Sequence, residues 1–216
     1  YTDRAKGNKG MSAFIIEPKN WKGCSARAIE TKLGLKCAPT GEFAFDGMKV
    51  PKENVLGKPG DGFRICMWQL NQTRLGCAAG ALGVAGGALD IAVKYANERT
   101  QFGKPISQHQ MIMAQIAEMT VEHQAAQMLV YKAAWLKDNG KPNQFETSVA
   151  KFAASEAAVH AANECMKIYG SFGFSTEYPA ERYYRDAKSL QVVEGTSNIQ
   201  KIIISGMACG TTPNRE

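Results

Sequence analysis

What this chain lacks narrows the field first. Its six cysteines, Cys24, Cys37, Cys66, Cys77, Cys165 and Cys209, stand apart with no Cys-x-x-Cys spacing. That argues against a zinc ribbon or a disulfide framework and for reduced thiols in a cytosol-like compartment, most of them filling cores. Lysine and arginine exceed aspartate and glutamate to give a net charge of +6, yet no basic run is interleaved with aromatics, so a nucleic-acid surface is not expected. Small polyanionic ligands suit that balance better. No apolar run approaches membrane-spanning length and no signal-peptide pattern opens the chain, so no membrane span is expected. A bacterial cytoplasm is the expected location, with a mitochondrial matrix as the alternative if a leader precedes Tyr1.

What is present falls into two parts. Between residues 11 and 50 the pattern is strand-like: Met11 to Glu17 carries the apolar run Phe14, Ile15, Ile16, and Phe43, Phe45, Met48 and Val50 alternate with polar positions as a half-buried strand requires. Val50-Pro51 and the segment Gly57 to Gly62 then punctuate the chain. The domain boundary is placed there, dividing the chain into 1–58 and 59–216.

Beyond it the chain reads as helices. The first runs from about Phe63 to Thr100, with Gly76, Gly80, Gly83, Gly86 and Gly87 among alanines, a composition that weakens helix propensity but lets neighbours approach closely. The second, about Gln108 to Asn139, shows Ile112, Ile116, Met119, Ala126, Val130 and Ala133 at helical spacings and ends on Asn139-Gly140. A third runs from about Phe145 to Tyr169 and stops at Gly170. Shorter helices are expected near Tyr178 to Ala187 and Thr196 to Cys209, with Thr211 to Glu216 frayed. Long helices joined by short loops make an up-down bundle, so the expected fold class is mainly α.

The pentapeptide Glu194-Gly195-Thr196-Ser197-Asn198 is the most informative stretch. Gly195 frees the backbone, Thr196, Ser197 and Asn198 are helix-capping types, and Ile199, Ile202 and Ile203 continue with helical spacing. Glu194 therefore sits just ahead of a helix N-terminus. Either it serves chemistry there or it merely complements the helix dipole.

With Val193 in front, this stretch closes an ordered series: Lys32-Leu33-Gly34, Val50 to Gly57, Asn71-Gln72-Thr73-Arg74, Glu98 to Ile106, Gly170 to Phe174, Glu177-Tyr178-Pro179 and Arg185 to Lys188. The series resembles the C-terminal half of the acyl-CoA dehydrogenases. The resemblance implies a C-terminal four-helix bundle preceded by the last strands of a middle β-domain. Because that family is nearly twice as long, the chain is expected to be a fragment or one piece of a nicked protein, the alternative being a gene that encodes only this half.

The same resemblance implies an activity and a site. Removing two hydrogens from adjacent carbons of an acyl-CoA thioester needs a base and a hydride acceptor, and no side chain accepts hydride. In the family the acceptor is FAD and the base is the glutamate matching Glu194. The thioester carbonyl bonds to that glutamate's N–H and to a flavin ribityl hydroxyl, an oxyanion-hole arrangement worth about 3–4 kcal/mol per donor. Desolvation beneath the acyl chain should raise the carboxylate's pKa and its strength as a base. Some relatives carry the base on the first bundle helix instead, at the position matching Thr73; threonine cannot serve, so the base falls to Glu194.

The remaining carried-over positions divide between coenzyme and cofactor. Asn71, Thr73, Arg74 and Gly195 match substrate- and coenzyme A-contacting positions, Asn71 standing where aspartate is common. Read alone, Arg74 would be a surface arginine. Arg99, Phe102 and Gln110 match residues reaching the FAD pyrophosphate and adenosine of a neighbouring subunit; read alone, Arg99 would be a helix C-terminal charge. Lys167, Ile168, Tyr169, Gly170 and Ser171 match the stretch along the dinucleotide, departing from common glutamine and glycine at Lys167 and Ser171. Thr196, Ser197 and Asn198 match the adenosine side. Val193 stands where many relatives have tyrosine and cannot donate a hydrogen bond, which leans toward non-decarboxylating glutaryl-type enzymes or toward relatives acting on cyclic or aromatic acyl groups. An electron-transferring flavoprotein as partner and a homotetramer complete the implied picture.

Two other readings compete. Helical bundles also house di-metal centres, and Glu118, Glu122, His123, Glu156, His160 and Glu164 lie on the two long helices; neither Glu118 nor Glu156 has histidine three residues on, so no metal is expected. Alternatively the chain is a colourless helical oligomerisation domain that holds no flavin.

Overall fold

A computed structural model describes residues 1–19 and 21–211, so the fraying expected at the C-terminus falls outside the described residues beyond Thr211. Helix dominates, as the composition of residues 59–216 dictates, and packing divides the chain into two compact units, Tyr1–Gln72 and Thr73–Glu216. That division falls inside the first long helix.

In the first unit, β1 (Ala13–Phe14), β2 (Cys24–Ala28), β3 (Gly41–Phe45) and β4 (Val55–Leu56) form two antiparallel pairs, β1 with β4 and β2 with β3. Ala13 faces Leu56, and Asn54 Nδ2 braces the pairing by donating to Ile15 O at 2.9 Å. The β2–β3 ribbon runs from Cys24↔Phe45 to Ala28↔Gly41. The half-buried strand expected around Phe43 and Phe45 needs correction: both rings are more than half exposed, 56% and 55%, and stack on each other. A two-stranded ribbon has no second layer of its own to cover either face. Of the strand expected from Met11 to Glu17, only Ala13–Phe14 joins a ladder.

The helices follow the sequence expectation closely: α1 (Gly62–Glu98), α2 (Gln110–Asp138), α3 (Gln144–Tyr169), α4 (Ala180–Leu190) and α5 (Ser197–Ala208), with a small β5–β6 hairpin (Thr100–Gln101, Lys104–Pro105) between α1 and α2. Glycine ends two of them. Gly140, at φ 62°, accepts the left-handed turn after α2, and Gly170, at φ 61°, does so after α3. Contacts between positions whose numbers rise together show α1 parallel to α3: Arg74 meets Ser148, and Tyr169 meets Ile91. Pairs whose numbers run oppositely, Gln115 with Glu164 and Asn143 with Ala133, show α2 antiparallel to α3. The long helices therefore go up, down and up, and α3 is central, packing against α2, α4 and α5.

The core is built largely of alanine. Ala78, Ala81, Ala85, Ala88, Ala92 and Ala96 of α1 recur every three or four residues and share one buried cluster with Ala150, Ala154, Ala158 and Ala161 of α3. Small side chains bring helix axes together and favour backbone-close packing. The glycines of α1 do this unequally. A Cβ at Gly87 would lie 2.5 Å from Tyr183 Oη and one at Gly86 3.0 Å from His123, whereas Gly76, Gly80 and Gly83 have nothing within 4 Å. On α2, Met119, Ala126, Val130 and Ala133 are buried as their spacing requires.

One sequence expectation about membranes also changes. By length and composition alone α1 could cross a bilayer. Its alanine face, however, is packed into the bundle, the ordinary fate of an apolar helix in a helical core.

Candidate active site

Between α4 and α5 the chain makes a tight turn from Gln191 to Thr196. Ser197 N closes it on Gln191 O at 2.9 Å, and Thr196 Oγ1 caps α5 by accepting from Ile199 N at 3.3 Å. Two successive residues within it are left-handed, Glu194 at φ 56° and Gly195 at φ 91°. Gly195 suits that conformation, and a Cβ there would sit 2.5 Å from Gln200 Nε2. Glu194 carries a Cβ, so its conformation costs about 1–3 kcal/mol and must be held by its surroundings.

Three buried side chains hold it. Arg74 Nε donates to Glu194 O at 3.1 Å, Lys151 Nζ donates to Gly195 O at 2.8 Å, and Gln200 Nε2 reaches both carbonyls, at 3.3 and 3.0 Å. Arg74 is 6% exposed, while Lys151 and Gln200 are fully buried. Burial pulls the pKa of both cations below their ordinary values; for Arg74 the Glu194 carboxylate opposes this, and for Lys151 the Cys77 thiol, Glu156 and Glu194 do. Arginine remains charged through such a shift.

The carboxylate has its own partner. Thr73 Oγ1 donates to Glu194 Oε2 at 2.6 Å, a charge-assisted bond of a type worth about 1.5–3 kcal/mol. One turn further along α1 lies the half-buried Cys77 thiol, whose pKa burial pushes up despite the opposing Lys151 ammonium. From α3, Ser148 Oγ accepts from Arg74 Nη1 at 3.4 Å, and Glu156 accepts from Ser197 Oγ at 2.6 Å and from Gln191 Nε2 at 2.9 Å. Ser148, Lys151 and Glu156 thus form a polar stripe on a helix otherwise faced with alanine. Among the described residues, the N–H groups of Glu194 and Gly195 donate to no backbone carbonyl. Two surface hollows, of about 540 Å³ (Glu17, Cys24, Phe43 among its walls) and about 190 Å³ (Thr176 to Arg182), are not lined by Glu194.

The chain that carries this half-buried carboxylate on its strained turn has relatives among known proteins. The family model described as acyl-CoA dehydrogenase, C-terminal domain, matches residues 60–208. The chain belongs to the acyl-CoA dehydrogenase family. It is 53% identical over 206 residues to a glutaryl-CoA dehydrogenase of Desulfococcus multivorans, covering 95% of this chain and 53% of that protein. It is 45% identical over 205 residues to the mitochondrial short-chain specific acyl-CoA dehydrogenase of Mus musculus, covering 95% of this chain and 50% of that one. A solved glutaryl-coenzyme A dehydrogenase in complex with glutaryl-CoA superposes with a TM-score of 0.93 at 50% identity, covering 98% of this chain and 54% of that chain. The chain spans about half the length of the curated relatives it matches.

For an acyl-CoA dehydrogenase chain, the other expected site residues fall into two groups. Arg99, Phe102 and Gln110 lie along the stretch where α1 passes through the hairpin into α2, and all three are exposed. Arg99 O anchors the hairpin by accepting from Ile106 N at 2.8 Å, and its guanidinium lies 5.5 Å from the centre of the Phe172 ring. Phe102 is 92% exposed and left-handed at φ 53°, so its ring stands off the hairpin tip. Gly170, Ser171, Thr196 and Asn198 are also at the surface, and Asn71 is half-buried on α1.

Other side chains are turned elsewhere. Ile168 and Tyr169 belong to the core, Tyr169 stacked on Tyr95 at 4.1 Å with its hydroxyl donating to Ile91 O at 3.3 Å. Burial, with Cys165 and Tyr95 adding to it, pushes that phenol up to about 12. Lys167 Nζ is paired with Glu164 Oε1 at 2.5 Å, and the Ser197 hydroxyl is committed to Glu156. Arg74 faces the Glu194 carbonyl rather than outward. Of the residues weighed for a di-metal centre, His160 Nδ1 meets Glu122 at 2.7 Å, Glu164 also accepts from Gln115 and Asn163, and Glu156 serves the turn. The sequence reading missed Lys151 and Gln200 altogether. A lysine at a buried helical position among alanines, three residues after Ser148, was the signal.

Proposed function

We propose that the protein catalyses α,β-dehydrogenation of an acyl-CoA thioester to the 2-enoyl-CoA, with Glu194 as the base for the α-proton and FAD as resident cofactor. The residues present fit a dinucleotide: the exposed Arg99 guanidinium and the exposed Phe102 ring at the hairpin suit a pyrophosphate and an adenosine, and Thr196 and Asn198 stand at the surface where α5 begins, polar groups suited to the adenosine side. When bound, FAD supplies the hydride acceptor that no side chain can.

This chain's own residues do the rest. Thr73 holds Glu194 Oε2, leaving Oε1 to take the C2 proton. The electron pair of the C2–H bond becomes the C2–C3 π bond, and the C3 hydrogen departs as hydride. The Glu194 N–H supports the thioester oxygen as negative charge develops there. Val193, beside the base, offers no proton donor, which favours stopping at the enoyl thioester. The same reading takes an electron-transferring flavoprotein as the onward acceptor, a homotetramer as the assembly and a bacterial cytoplasm as the location.

The observation that carries it is the Thr73–Glu194 bond. The two positions at which relatives place their base face one another at 2.6 Å, and here only Glu194 bears a carboxylate. Glu194→Gln in the intact protein should keep its flavin spectrum and thioester binding while turnover falls by about 10²–10⁴-fold. Near wild-type turnover would overturn the assignment.

A further inference from the structure

Lys151 is the largest fully buried side chain among the described residues, and it carries an ammonium. It is fully buried on α3 beside Ala150 and Ala154, themselves fully buried, where a methionine would pack at lower cost. It has been given no role toward substrate or cofactor, and its one hydrogen bond among the described residues, part of the clamp on the turn, runs 2.8 Å to Gly195 O. The charged and titratable groups around it are Arg74 and Cys77 of α1, Glu156 of α3 and Glu194 of the turn.

We infer that Lys151 is a positioning residue for the base, holding the Gly195 carbonyl so that the left-handed Glu194–Gly195 pair keeps one orientation. The need arises from glycine. Gly195 is required for its φ of 91° and for the space beside Gln200, but a glycine peptide rotates easily, and the residue that must not rotate is the one before it. Arg74 fixes the Glu194 carbonyl from α1; Lys151 fixes the next carbonyl from α3; Gln200 joins the two from α5. With both carbonyls held by buried donors, the backbone of Glu194 is fixed while its carboxylate takes the bond from Thr73. An ammonium does this better than an amide because it binds the carbonyl with charge and tolerates no inverted peptide, whose N–H would face it.

The inference rests on Glu194 being the base, and its test separates the two. In the intact flavin-containing protein, Lys151→Met removes the donor while filling the same volume, and Lys151→Gln restores a neutral donor. Thermal unfolding, flavin content, kcat, KM and exchange of the thioester α-hydrogen with solvent deuterium are measured for both. Lys151→Met should keep its flavin and a cooperative unfolding transition, because Gln200 Nε2 still donates to the Gly195 carbonyl and methionine fills the space. Its kcat and α-exchange should fall together by about 10–100-fold with KM little changed, the scale of a small misplacement of a reacting group. Lys151→Gln should lie between it and wild type. Wild-type kcat in Lys151→Met, or loss of folding in both variants, would overturn the inference. Wild-type turnover in Glu194→Gln would overturn the functional reading instead.

Discussion

At the scale of single residues, burial and hydrogen bonding compete openly at Glu164. Burial pushes its carboxyl upward, yet the bonds from Lys167 and Gln115, helped by His160, outweigh it and hold the pKa below the ordinary 4.5. A carboxylate whose folded pKa is depressed adds stability that is fully present above the unfolded value and is lost as pH falls through the folded one. The stability advantage of wild type over Glu164→Gln should therefore be present at pH 7 and shrink once the medium is acid enough to protonate the folded carboxyl, as read by urea unfolding from pH 7 to pH 3. A gap that stays constant across that range would contradict this account of the pair. Residue types explain which site positions were legible beforehand. Glu194, Thr73 and Arg74 were marked by the ordered series that resembles the family, since read alone Glu194 could merely complement a helix dipole and Arg74 could be a surface charge. Gln200 looked like one more polar residue on a short helix, and only folding brings its amide to the 194 and 195 carbonyls. Ile168 and Tyr169 lie in a matched stretch, but alternation of burial along a helix and its end turned their side chains inward.

At the scale of elements, helices were readable because their apolar spacing is local. The third helix, expected from about Phe145 to Tyr169, is found at Gln144–Tyr169, and its end was marked by Gly170. The ribbon of β2 and β3 was not, because alternation in Phe43 and Phe45 reports a preference for burial that two strands alone do not satisfy. The glycines of α1 make the same point. All five were expected to admit close neighbours; only Gly86 and Gly87 do, while Gly80 has open space around it. Gly80→Ala should stabilise the protein by about 0.5–1 kcal/mol through backbone entropy. Gly87→Ala should lose that gain against the Tyr183 ring. Equal shifts of the urea midpoint in both variants would show that the Tyr183 contact exerts no resistance.

At the scale of the whole molecule, α2 carries Val121, Met128 and Trp135 at seven-residue intervals, which puts them on one side of the helix, and all three are more than half exposed. An apolar stripe of that kind suits the proposed homotetramer. The intact protein should therefore scatter light as a four-chain particle at micromolar concentration, and a stable monomer there would remove that part of the proposal. One last consequence follows from the hydroxyl and carboxylate that meet across 121 positions of sequence at 2.6 Å. A helix and a loop address the same point in space, so in descent the acidic group can pass from one to the other by two substitutions, a loss at one address and a gain at the other, with the scaffold left in place. On the proposed mechanism, the place of proton abstraction is set by the architecture, and either stretch of chain could supply the carboxylate.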